Sequence, residues 1–159
     1  SQRADCLLFY QSRESTPYFA SEEFEVLKLA DDALIWVCGS QFPVEQLDNP
    51  QVPHLTYAPS SQLLELSSPL LEATPHAKRL SMVFQSTISE ALLPMVMHGN
   101  GVACIPHSVA GQYLEQGRLV HIWQEYSCPL DIVLIRMRGA KNMHPNLNQL
   151  FENARKIRS

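Results

Sequence analysis

Apolar positions along the chain switch repeatedly between a two-residue and a helical rhythm, and the switches mark the elements. Residues 4–10 are a short apolar run, read as a strand. Residues 11–21, rich in Ser, Glu, Thr and Pro, are a polar loop. Glu22 to Leu29 alternates and predicts a half-buried, edge-like strand, with a turn at Asp31-Asp32. Ala33 to Cys38 is almost continuously apolar and predicts a central strand. Val44 to Pro53 carries Pro50 and Pro53 and reads as irregular, with one helical turn at Val44 to Leu47. His54 to Ala58 is a strand, and Gln62 to Ala73 a helix behind Ser60 and Ser61. Leu80 to Phe84 is another strand. After it, Ile88, Ala91, Leu92, Met95 and Val96 recur at helical spacing until Gly99. Ser86 or Thr87 with Glu90 resembles a loose capping signal for that helix. Val102 to Ile105 is a strand closed by Pro106. Ser108 caps a short helix to Glu115, and Leu119 to Trp123 is the next strand. Cys128 to Met137 alternates into a further strand, and Pro145 opens a final helix within His144 to Arg158. Strand alternating with helix at this spacing predicts an α/β fold whose parallel sheet is covered on its faces.

Two features sharpen the pattern. On the helix Gln62 to Ala73, Leu63, Leu66 and Leu70 cluster, with Leu64 and Leu71 on an adjacent stripe. That arc is wider than one sheet face requires, so the helix is either deeply buried or meets a second partner. Pro94, inside the central helix, removes a backbone hydrogen bond and marks strain or a shape requirement.

Composition narrows the function classes. With 159 residues and 45% hydrophobic content, the chain supports one domain or a pair of small lobes with a true core. A net charge of −4 argues against this piece gripping phosphates. No apolar run approaches the roughly 20 residues of a membrane span. The start SQRADCLLFY lacks a signal-peptide pattern. Cys6, Cys38, Cys104 and Cys128 lack CxxC spacing, and the chain reads as cytoplasmic with reduced thiols. Cys38, at a crossover, and Cys128, opening a strand in a polar context, are the candidates for thiol chemistry; an inert structural role is the plainer reading. Core gap-filling is likewise the plainer use of Met82, Met95, Met97, Met137 and Met143, against an oxidation switch. His98, Cys104 and His107 do not share metal-ligand spacing, and no metal or cofactor is expected.

Val96-x-x-Gly99-x-Gly101, the apolar strand closed by Pro106, and Gly117-Arg118-Leu119-Val120 together resemble the ligand-sensing domain of LysR-type transcriptional regulators. Asp5 to Phe9, Ala33 to Pro43 and His144 to Arg158 extend the resemblance, and the oxidant-responsive, hypochlorite-type branch is the nearest in kind. The resemblance implies two periplasmic-binding-protein-like lobes. Residues 44–127 would form a complete second lobe, and 1–43 with 128–159 a first lobe truncated at its N-terminus. The helix-turn-helix would lie outside this sequence, so DNA would be reached only through that missing part.

The resemblance also places an effector or an oxidant in the cleft between lobes. Ser60, Ser61, Gln85, Ser86 and Thr87 would line it from one side, and Tyr10, Gln11 and Cys38 from the other. From the residues alone, plain N-capping accounts for the same serines and threonine. Family members pair with a second subunit through the elements carrying Leu63, Leu66, Leu70 and Met82. Two rivals stand beside this reading: a small α/β enzyme using Cys38 or Ser86, for which no partner base is recognisable, and a solute-binding protein of the same fold.

Overall fold

The computed structural model describes residues 6–13, 23–137, 145–146, 149 and 151–153. Its contacts divide the chain into two compact units, Ser1–Asp31 with Leu130–Ser159, and Asp32–Pro129.

In the first unit, β1 (Leu7–Ser12) runs antiparallel to the end of β6 (Leu119–Met137), with Leu7 opposite Ile135 and Ser12 opposite Leu130. β6 lies between β1 and β2 (Phe24–Gly39) in the ladder. Leu27, Leu134 and Phe151 form the core here, with Cys6 packed against them. The Arg136 guanidinium lies 4.2 Å over the Phe151 ring and pairs with Glu25 at 2.8 Å. Residues 145–146, 149 and 151–153 are helical, within the final helix expected over His144 to Arg158, the rest of which lies outside the described residues.

In the second unit the strand order is β2-β5-β3-β4. Leu34 to Cys38 of β2 pairs antiparallel with β5 (Val102–Pro106). β3 (Val52–Tyr57) is parallel to both β5 and β4 (Leu80–Ser86). The sheet is therefore mixed, not wholly parallel. Three helices cross over between strands: α1 (Gln62–Ala73), α2 (Ser89–Met97) and α3 (His107–Glu115). Trp36, Leu55, Tyr57, Leu92, Val102 and Ile105 are fully buried and form the centre of this core. Gly101, at φ 156°, brings the chain so close to Pro53 that a Cβ would sit 2.5 Å from its carbonyl oxygen. No helix of the described residues is long and apolar enough to cross a membrane.

Three expectations change. Asp31-Asp32 makes no turn: β2 runs unbroken for 16 residues. Asp31 pairs with Arg13 and Lys28, while the Asp32 carboxylate accepts from Ala33 N, Ser108 N and the Ser108 hydroxyl. Of two acids that suggest a turn, Asp31 is thus ion-paired and Asp32 hydrogen-bonded within a strand. Ser108 does not cap α3; the helix begins at His107, and the acceptor comes from Asp32. Gln124 to Ser127 belongs to β6 as well, so that the two strands expected at Leu119 to Trp123 and Cys128 to Met137 are one. The two units divide at Asp31/Asp32 and Pro129/Leu130. The cause is the β2–β5 ladder, which ties Leu34 to Cys38 into the second unit.

Candidate functional site

Two loops meet at the carboxyl ends of the adjacent parallel strands β3 and β4. Tyr57 and Ser86 are opposite each other at the end of the ladder, and Ala58 N donates to Ser86 O at 2.9 Å. Ser61 is the N-cap of α1: its hydroxyl accepts from Leu63 N at 3.2 Å and donates to Thr87 O at 2.9 Å. One buried serine therefore starts a helix and ties both loops together. Carboxyl ends of parallel strands followed by helix N-termini are where open α/β sheets receive ligands.

The other loop is arranged differently from its capping signal. α2 begins at Ser89, behind Ile88, and no side chain caps it. The Ser86 hydroxyl accepts from Ile88 N at 3.2 Å, and Ser89 Oγ lies 3.3 Å from a Glu90 oxygen. Ser60 and Thr87 are exposed, and Gln85 is exposed with its amide on the Met82 sulfur at 2.8 Å. Ser60, Ser61, Ser86 and Thr87 thus come together, with Gln85 directed along β4. The two loops carry Glu65 and Glu90 in the first turns of their helices and no Lys or Arg in residues 58–65 or 85–90. Such a surface offers hydroxyls and amides, without a cation to hold a multiply charged anion.

Cys38 is 2% exposed, so its side chain presents no surface to a ligand. Burial pushes its thiol up to about 11, and burial, then the proximity of Cys128, raises Cys104. Neither is a thiolate at neutral pH. Tyr10 and Gln11 lie in the first unit, on β1 opposite Ile132 and Asp131. Burial also pushes His54 down to about 4. Among the described residues no three metal-ligating side chains converge.

On the helix α1, Leu63 and Leu70 are buried within the unit while Leu66 is half-buried. On the edge strand β4, Met82, Val83 and Phe84 are 58%, 56% and 36% exposed. The apolar surface sought on the helix thus lies chiefly on the strand after it. Alternation could not reveal this, because a run such as Leu80 to Phe84 reads equally as a buried strand.

The LysR substrate binding domain family matches this chain over residues 1–156. Among curated proteins, the HTH-type transcriptional regulator YjiE of Escherichia coli (strain K12) is 26% identical over 160 residues, 98% of this chain and 50% of that protein. The chain therefore spans about half the length of this curated relative. Of solved structures, the regulatory domain of the HypT M206Q mutant from Salmonella typhimurium is 25% identical, with a TM-score of 0.77, covering 98% of this chain and 75% of that one. Full-length HypT from the same organism, described as a hypochlorite-specific LysR-type regulator, is 23% identical with a TM-score of 0.77, over 98% of this chain and 52% of that one.

Proposed function

The chain belongs to the LysR substrate binding domain family, and from that premise we propose that it is the part of a transcriptional regulator that binds a small-molecule effector. The observation that supports this most is the convergence of the β3–α1 and β4–α2 loops, tied by Ser61, at the ends of two parallel strands. Ser60, Thr87 and the first amides of α2 would hold the effector, with Ser61 and Ser86 keeping the loops in register. A neutral polar molecule or a singly charged anion suits a surface with two acidic residues and no cation.

DNA would be bound by another part of the regulator, and binding of effector would bias the regulator only through differential affinity for two of its states. Self-association would use β4, through Met82, Val83 and Phe84, with Leu66 of α1. Catalysis is not part of this reading: the Ser86 hydroxyl is occupied by a backbone amide, and Cys38 is a buried thiol. The same burial argues against Cys38 as an oxidant sensor.

A thermal-shift screen of small neutral polar compounds and monovalent anions, run on the wild type and on a Ser60→Ala/Thr87→Ala variant, tests the proposal. Stabilisation by a compound in the wild type that shrinks in the variant is the expected result. Equal stabilisation of both proteins would place the ligand elsewhere.

A further inference from the structure

Trp123 has a φ of +47°, and among the described residues it is the only non-glycine with positive φ. A bulky residue avoids this left-handed region because its Cβ crowds the following carbonyl. It persists where surrounding structure over-determines it. Here the surroundings are specific. The His76 ring stacks on Trp123 with centroids 4.6 Å apart and planes 12° from parallel. The buried Trp36 ring meets Trp123 edge-on at 5.3 Å and 72°. Tyr126 meets the edge of His76 at 6.3 Å.

Two members of this stack, Trp36 and His76, are themselves anchored. Trp36 Nε1 donates to Thr74 Oγ1 at 3.2 Å, and Thr74 donates in turn to Leu70 O at the end of α1. Arg79 donates to His76 Nδ1 at 2.6 Å and, through its other terminal nitrogen, to the carbonyls of Leu47 and Asn49. A guanidinium has only donors, so His76 Nδ1 is the acceptor and its ring proton sits on Nε2. The 3-10 turns Val44–Asp48 and Pro75–Arg79 are thereby linked, through one ring, to the backbone of β6.

We infer that His76, held by Arg79, is a latch that keeps Trp123 in its left-handed conformation and so sets the course of β6. Withdrawing Arg79 from the Leu47–Asn49 carbonyls would free the imidazole, unstack the indole and let Trp123 return to negative φ. The device converts a displacement of one surface turn into a change in a strand that runs on to Met137. It is independent of the effector loops, and it stands or falls separately from them. His76 and Arg79 are positioning residues in this scheme.

The chain has two tryptophans, so 5-fluorotryptophan labelling gives two fluorine resonances, assigned with Trp123→Phe. Fluorine spectra and amide hydrogen exchange are then compared for wild type, His76→Ala, His76→Phe and Arg79→Met. In His76→Ala the Trp123 resonance should move toward the free amino acid, and amides 122–124 should exchange about tenfold faster or more, as expected for local opening. His76→Phe keeps a flat ring and should restore most of both signals. Arg79→Met leaves both rings in place and should give an intermediate response. Unchanged Trp123 resonance and exchange in His76→Ala and Arg79→Met would overturn the inference, because Trp123 would then hold its conformation without the latch.

Discussion

His54 shows how burial at one residue becomes a property of the whole. It sits on β3 at 8% exposure, with its ring 5.7 Å from that of Trp36. Desolvation lowers its pKa from 6.5 to about 4. As pH falls below 6.5 the unfolded chain takes up a proton that the folded chain refuses, so stability present at neutral pH is lost down to about 4. The loss reaches about 3 kcal/mol at most. Urea unfolding at pH 7 and pH 4.5 should show a decline that is smaller by that order in His54→Phe; an equal decline in both proteins would assign the acid sensitivity to other groups. Ser61 is the second residue whose role is decided by geometry. Removing its hydroxyl deletes a helix cap and the tie to Thr87, so Ser61→Ala should cost about 1–2 kcal/mol in denaturant unfolding. Polar residues ahead of helices are visible in a sequence, and Ser61 caps α1 as such residues do. That Ser86 would serve Ile88 and leave α2 without a side-chain cap depends on where the helix starts, which periodicity leaves open by a residue or two.

At the scale of elements, helices were the more legible. Gln62–Ala73 is set by its leucine spacing and by Ser61, and both limits coincide with the periodic run. The long strands were not. β2 and β6 read as two strands each, because Asp31-Asp32 suggests a turn and the polar Gln124 to Ser127 suggests a crossover between lobes. The cations that make Asp31 acceptable in a strand are Lys28, three residues before it, and Arg13, 18 residues before it, both of which also pair with Asp131. Arg13 and Asp131 lie outside any local window. The stack of His76, Trp123 and Trp36 escaped for the same reason. β4 carries the element-scale prediction: it is an edge strand with three consecutive exposed apolar residues, a feature that soluble edges usually blunt with charge. Val83→Lys should reduce self-association, measured by sedimentation velocity, with unfolding free energy changed by less than about 0.5 kcal/mol. Unchanged sedimentation would remove β4 from the interface.

At the scale of the molecule, the α/β class and the family were legible because glycine and proline punctuation sits at sharp turns, at Gly99, Gly101 and Gly117, all of positive φ. The division of β2 between the two units depends on a long-range ladder, that of Leu34 to Cys38 with β5. Native-state hydrogen exchange should be slower at Val102 to Ile105, buried in the second unit, than at the β1 amides, whose strand is an edge with Leu7 and Leu8 exposed. Equal protection would contradict the burial pattern. The central claim, that the two serine- and threonine-bearing loops bind an effector, is tested most directly by two numbers on one variant. Once a compound has been found to bind, its affinity is measured by calorimetry, and unfolding free energy by denaturant, for wild type and Ser60→Ala/Thr87→Ala. Loss of hydrogen bonds at a desolvated site predicts an affinity decrease of about 1–3 kcal/mol, with little change in stability because both side chains are exposed. Unchanged affinity in a folded variant would contradict the account.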